Sequence, residues 1–243
     1  MAGNTRVIQV LAEDVDLGQA IPDEQRPIAQ RECVARAVDV ASGPWAADGD
    51  DAHAPGLGLL VLEGLLVRRV GREGRFGAEI LGEGDLLRPW QLNGRSGTVS
   101  LQTVWEVLEP LRLAVLDASF AERIGRYPGA IGELVDRALS RSRALAVNMA
   151  IVHNPRVEVR LHMLLWHLAD RWGKVSSNGV ILSKRLTHAV LADLVAARRP
   201  SVTTALSRLT EQGAIEPVDR HWRLIGDPPV ELTEVVRGVR AGG

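Results

Sequence analysis

The stretch from Leu186 to Ile215, LTHAVLADLVAARRPSVTTALSRLTEQGAI, decides the reading of this chain. It reads as two short helices joined by a tight turn at Ala196-Ala197. Thr187 stands where an N-cap belongs, ahead of Leu191, Leu194 and Val195 at helical spacing. Pro200 is tolerated in the first turn of the second helix, because its missing N–H would be unpaired there anyway. Val202, Ala205, Leu206 and Leu209 make the buried stripe of that helix, and Gly213 can end it in a left-handed conformation. Outside the stripe stand Arg199, Ser201, Thr203, Thr204, Ser207 and Arg208. Arginine can bind guanine bidentately, while Ser and Thr serve bases or phosphates. This is how a chain presents a helix to the major groove of DNA. The competing reading is a surface helix with solvated arginines. The candidate DNA-contacting set is Thr187, His188, Arg198, Arg199, Ser201, Thr203, Thr204, Ser207 and Arg208.

The residues around this stretch carry a resemblance. Asn154-Pro155 followed by RVEVRLHMLLWHLADRWGKV, then KVSSNGVILSKRLTH, then IEPVDRHWRLI, resemble the DNA-binding half of the Crp/Fnr family of bacterial regulators. The three segments correspond to a hinge with the first helix, a small hairpin, and the wing after the recognition helix. The resemblance spans residues 154–243 and implies a winged helix-turn-helix. Two positions depart from it. The family's common Arg-Glu pair is Arg199-Pro200 here, and its second arginine one turn later is Thr204. The operator sequence of the best-known members therefore does not carry over.

Charge supports the same end of the chain. Residues 156–225 hold 11 Lys and Arg against 6 Asp and Glu, about +5 in a chain whose formal net charge is −1. A basic module on an acidic body suits phosphate neutralisation, although a basic face can also be merely solvated. With 243 residues, 46% hydrophobic, the chain suits about two domains. Cys33 is the only cysteine, so no intrachain disulfide forms; it reads as a small buried thiol. No signal-peptide pattern and no apolar span of about twenty residues stands out, which predicts a cytoplasmic protein with no membrane partner.

The N-terminal half is built differently. GLGLLVLEGLLVRRV, FGAEILGEGDLL and TVWEVLEPLRLAVLD read as strands of a closed or double-layered β structure. Gly58, Gly64, Gly71, Gly74, Gly77, Gly82 and Gly84 are expected at turns. Leu11–Gly18 and Arg26–Val40 suggest short helices. In the Crp/Fnr family this position holds a cyclic-nucleotide-binding type of jelly roll, and Glu63-Gly64-Leu65 and Gly84-Asp85 resemble its turns. Cyclic-AMP-binding relatives continue from Gly-Asp to a Gly-Glu and then an Arg-Ser pair. Here Arg88-Pro89 replaces the Gly-Glu, and Arg95-Ser96 comes several residues early. Proline has neither carboxylate nor N–H, so cyclic AMP is expected to bind weakly or not at all. Arg88, Trp90 and Arg95 remain as a candidate site for an anionic planar ligand; the plainer reading is loop charge, with Trp90 and Trp105 in the barrel core.

Other chemistries lack their residues. An iron–sulfur centre needs about four cysteines. A cupin-like metalloenzyme needs several histidines in the barrel, but only His53 lies in the N-terminal half, in a loop-like stretch that also argues against a haem ligand. His162 and His167 are five apart, the wrong helical spacing for a shared metal. No cofactor, metal or enzymatic activity is expected.

Between the halves, Ile131, Leu134, Ala138, Ser142, Leu145, Met149 and Val152 step by three or four after Pro128-Gly129. That is a heptad-like seam on one long helix, better used against a second copy than inside one chain. The expected architecture is α+β: an N-terminal β jelly-roll effector barrel (1–127), a long dimerisation helix (128–153) and a C-terminal winged helix-turn-helix domain (154–243). The expected function is that of a Crp/Fnr-type, sequence-specific transcription regulator. It would be a homodimer on a palindromic double-stranded operator, with RNA polymerase as a partner, and either gated by an effector in the barrel or constitutive with a vestigial barrel. A cyclic-nucleotide receptor is the first alternative.

Overall fold

The computed structural model describes residues 6–47, 56–72, 75–89, 101–230 and 232. The chain divides into two compact units, residues 1–144 and 145–243. The first holds β1 (Arg6–Gln9), α1 (Val10–Glu13), α2 (Val15–Gln19), α3 (Arg26–Glu32), β2 (Val34–Val40), β3 (Gly43–Trp45), β4 (Gly56–Arg72), β5 (Arg75–Gly82), β6 (Leu86–Leu87), β7 (Gln102–Asp117), α4 (Ala118–Ile124) and the start of α5 (Pro128–His153). Its seven described strands pair antiparallel in the order β1-β2-β7-β4-β5, with β3 on β7 and β6 on β4. The three apolar, glycine-punctuated runs are thus β4, β5 with β6, and β7.

The glycines work differently from the expectation. Gly58, Gly64, Gly71, Gly77 and Gly82 lie inside strands, and Gly84 lies in a turn; Gly74 falls outside the described residues. Gly64 shows why. Its φ is +100°, and a Cβ there would sit 2.2 Å from the carbonyl oxygen of Pro110. Around it the β4–β7 register shifts: Val61 pairs with Leu113 and Leu66 with Val107, five steps on one strand against six on the other. The bulge changes which residues of β4 face inward. Leu59 and Val61 join the interior core before it and Leu66 joins after it, all packing with Leu81, Trp105 and Val107. A second core gathers α1–α4 and the start of α5 around Leu11, Leu17, Phe120 and Leu134.

The segment Arg26–Val40 is not one helix. It is α3 up to Glu32 and then β2, which pairs with β1 and β7. The alternating burial of Val34–Val40 carries that strand, a period-2 signal next to a period-3.6 one. Cys33 sits at the junction, fully buried, and burial pushes its thiol up to about 11, so it stays protonated and unreactive at neutral pH.

The second unit holds the end of α5, α6 (Val157–Trp172), β8 (Gly173–Ser176), β9 (Gly179–Leu182), α7 (His188–Leu194), α8 (Arg199–Glu211), β10 (Ile215–Val218) and β11 (His221–Leu224). The strands form one sheet, β10-β11-β9-β8. The core is built from Leu161, Leu165, Leu182, Leu191, Leu206 and Leu224. The helix α6 starts at Val157 with Arg156 at the cap, and Asn154 Oδ1 accepts from the Arg156 N–H. The turn between α7 and α8 has Ala196 at φ +50°, a conformation that glycine adopts at less cost. No helix among the described residues is long and apolar enough to cross a membrane.

Two backbone predictions follow from these positions. Gly64→Ala should lose about 2–4 kcal/mol in urea unfolding, because strain and a backbone clash combine. Gly77→Ala, whose new carbon meets only Val70 O at 3.9 Å, should stay within about 0.5 kcal/mol. Ala196→Gly should leave the fold intact and raise the stability of the second unit by up to about 1 kcal/mol, read from its thermal transition.

Candidate nucleic-acid interface

The helix-turn-helix is assembled by local chemistry. Thr187 caps α7, its Oγ1 accepting the Val190 N–H at 3.2 Å. Val190, Leu191, Ala192 and Leu194 are the buried face of α7. In α8 the buried residues are Val202, Ala205, Leu206 and Leu209. The helix ends as its sequence suggests: Gly213 has φ +70°, and the Ala214 N–H donates to Leu209 O at 2.9 Å.

This packing leaves one continuous polar face. Arg198, Arg199, Ser201, Thr203, Thr204, Ser207 and Arg208 are all exposed, as is Thr187; His188 is half-buried. His188 Nδ1 lies 3.0 Å from Thr203 Oγ1 and ties the two helices at their outer rim. The hydroxyls of Thr203, Thr204 and Ser207 donate back to the carbonyls of Arg199, Pro200 and Thr203 at 3.1–3.2 Å. The oxygens of Thr204 and Ser207 are thereby left as acceptors, while that of Thr203 also meets His188. Among the described residues no ion pair engages Arg198 or Arg199. Two cations at a helix N-terminus oppose the helix dipole and cost stability there. An anion laid across that end reverses the sign of the interaction. Arg208 makes only a loose pair with Glu158, at 3.9 Å.

Two residues of this module escaped the sequence reading. Arg160 on α6 donates to the carbonyl of Asn154 and, at 3.1 and 3.3 Å, to those of Val195 and Ala196. It fixes the helix-turn-helix turn to the start of the domain. Arg220 sits exposed at the tip of the β10–β11 hairpin, where Asp219 and Arg220 have φ +47° and +68°. Both positive values belong to the tight hairpin turns that match strand twist. An Asp-Arg pair gives no such signal in sequence, where Asn-Gly would.

The residues of the expected seam on α5 do not share one open face. Leu134 is 6% exposed and belongs to the core of its own unit, and Ile131 packs against the same cluster. Leu145 and Val152 are half-buried, while Ala138, Ser142 and Met149 are exposed. The apolar line left open is Val135, Leu139, Ala146 and Met149 with Ser142 between them, at 51, 50 and 64% exposure for Val135, Leu139 and Met149. Its steps of four and three are those of a heptad seam, turned by one residue from the expected one. The inward face of α5 is fixed by charge: Arg137 pairs with Asp14 at 2.5 Å and Arg141 with Glu79 at 2.5 Å.

The candidate effector residues separate as well. The Arg88 guanidinium donates to the carbonyls of Leu57 and Gly56 at 2.8 and 2.9 Å, which staples the start of β4. Pro89 is buried, and Trp105 is core, as its plainer reading has it. Trp90, Arg95 and His53 lie outside the described residues. No group of three or more His, Cys, Asp or Glu among the described residues is arranged to hold a metal.

Comparison with known proteins agrees with this geometry. Residues 159–229 match the Crp-like helix-turn-helix domain. No curated protein matches the chain in sequence. Solved structures do match in fold. A cyclic nucleotide-binding domain containing protein from Listeria monocytogenes has TM-score 0.63 at 15% identity, covering 86% of this chain and 96% of its own. A CooA mutant from Carboxydothermus hydrogenoformans has TM-score 0.60 at 15% identity, covering 87% and 89%. A CRP-family transcriptional regulator from Thermus thermophilus has TM-score 0.55 at 20% identity, covering 82% and 95%. The C-terminal unit thus carries a Crp-like helix-turn-helix domain, and the chain has the fold seen in these solved structures.

Proposed function

We propose that this chain is a homodimeric, sequence-specific regulator that grips a palindromic operator with two copies of α8. The observation that carries the reading is the outer face of α8: seven exposed arginine, serine and threonine side chains in the flank and body of one helix, with two guanidiniums at its positive end that no ion pair engages among the described residues. In this reading Arg199 reaches a base edge or the adjacent phosphate. Arg198, Thr187 and Arg220 hold phosphates. Ser201, Thr204 and Ser207 face the groove, and Thr204 and Ser207, whose hydroxyls already donate to carbonyls, suit exocyclic amino groups of bases as acceptors.

The division of labour follows the chain. Residues 1–127 form an effector barrel, 128–153 a dimerisation helix and 154–243 the DNA-binding domain. The partner of α5 is a second copy of α5, joined along Val135, Leu139, Ser142, Ala146 and Met149. A two-fold axis there would set the recognition helices on half-sites about 34 Å apart. The barrel would bias the hinge at His153-Asn154-Pro155 and so decide whether both helices fit together. RNA polymerase is the further partner, and the cytoplasm the place of action. Arg88 is held by Nε and Nη2 on the backbone carbonyls of β4, which commits two of its donors away from a cyclic phosphate and disfavours the cyclic-nucleotide reading.

Arg199→Ala should cost about 1–3 kcal/mol of operator affinity and relax specificity at one position, and Arg198→Ala should weaken binding evenly across sequences. Fluorescence anisotropy on operator and scrambled duplexes reads both; unchanged affinity in the folded double variant contradicts the assignment. Leu139→Asp places an unpaired charge in the seam. It should turn a dimer into a monomer in sedimentation at micromolar protein, while Leu134→Asp should unfold the first unit instead. A wild-type chain that is already monomeric, free and on DNA, contradicts the dimer.

A further inference from the structure

Inside the first unit, four strands place one residue each in a single row. Register pairs Glu79 on β5 with Arg68 on β4, Arg68 with Trp105 on β7, and Trp105 with Trp45 on β3. The row lies on the inward face, beside the core that Trp105, Leu66 and Leu81 line. Its charges do not balance. Glu79 is buried, and two guanidiniums converge on it: Arg68 Nε at 2.6 Å and Arg141 of α5 at 2.5 Å. The Arg68 approach is close but misaligned, so its Nε forms no hydrogen bond. Burial, and the neighbouring Arg141, both push Arg68 toward losing its proton, against the opposing pull of Glu79. Such a site is short of one negative charge.

The same face carries donors without acceptors. Trp105 is 5% exposed, and its Nε1 and the Oγ1 of Thr103, two residues away, are buried with no hydrogen-bond partner among the described residues. The Arg68 guanidinium lies 5.7 Å from the Trp105 ring centroid, and Trp45 stands edge-on to Trp105 at 5.9 Å. Buried polar groups in folded proteins are nearly all paired, and unpaired ones concentrate where something binds.

We propose that the Glu79–Arg68–Trp105–Trp45 row is a binding site for a small planar organic monoanion, a conjugated carboxylate. Its acid group supplies the missing charge at Arg68 and accepts from Trp105 Nε1 and Thr103 Oγ1, and its flat body lies against indole. One excess positive charge beside a resident carboxylate fits a monoanion and disfavours a phosphate dianion. An anion on Arg68 competes with Glu79 for it, which leaves Glu79 to Arg141. Because Arg141 also donates to Leu86 O at 3.1 Å, occupancy is felt directly by α5. This coupling rests on the reading of the first unit as an effector domain.

The test uses the full-length protein, with benzoate as the probe, neutral benzamide as its isostere and inorganic phosphate as a second anion, followed by tryptophan fluorescence and calorimetry. Benzoate should saturate below roughly 10 mM, while benzamide and phosphate bind at least about tenfold more weakly. Arg68→Gln should weaken benzoate about tenfold. Trp105→Phe, which keeps a ring and loses the N–H, should weaken it severalfold with its circular dichroism unchanged. Equal binding of benzoate and benzamide, no saturable benzoate binding, or an affinity unchanged in Trp105→Phe and Arg68→Gln overturns the site. Operator affinity measured with and without benzoate separates the two claims. Benzoate binding that obeys the variants but leaves operator affinity unchanged supports the site and defeats the gating. Intact operator binding with no benzoate site defeats this proposal and leaves the DNA-binding reading standing.

Discussion

Everything functional in the second unit depends on the burial of one helical stripe. Val202, Ala205, Leu206 and Leu209 are each under 5% exposed. Fully burying a Val or Leu side chain is worth about 1.5–3 kcal/mol, several times an exposed ion pair. The stripe therefore fixes the rotation of α8, and the polar residues have no choice of face. Arg160 completes the constraint, since one guanidinium collects the carbonyls that the turn into α8 leaves open. Positions that touch no DNA in this account thus decide where the DNA-facing residues stand.

The first unit is governed by a comparable constraint on the backbone. The long β4–β7 ribbon can line one interior only because Gly64 lets the chains approach over Pro110 and lets the inward phase of β4 change. Without that change Leu66 and Arg68 would face outward. The charged row and the apolar core are thus products of one bulge. The ion pairs of Arg137 and Arg141 then fasten α5 by its inward side, which leaves Val135, Leu139 and Met149 on the other.

Much of this was legible in the residues, for identifiable reasons. The helix-turn-helix announces itself through Thr187, Pro200 and Gly213, whose local chemistry needs no tertiary context. The strands were visible as Val- and Leu-rich runs between glycines. What failed were distinctions that only packing decides. Leu134 and Val135 are adjacent, and periodicity alone cannot say which faces the body of its own unit; the partners of Arg137 and Arg141 settle it. The β2 strand was hidden because Arg26–Glu32 is helical, and the period changes within a few residues. Arg160 and Arg220 gave no signal because an arginine's role lies in where its long side chain ends. The Glu79–Arg68–Trp105–Trp45 row was invisible because it depends on the register of four strands, two of them far from the β4–β5 hairpin in sequence.

The central claim is that two copies of α8 read two related half-sites. Selection of duplexes from a random pool by the full-length protein, followed by sequencing, tests it most directly. The account predicts enrichment of an inverted repeat with half-site centres about one helical turn, or roughly 34 Å, apart, and loss of that enrichment with Arg199→Ala. A pool that stays random, or one that yields a single unrepeated site, would contradict it.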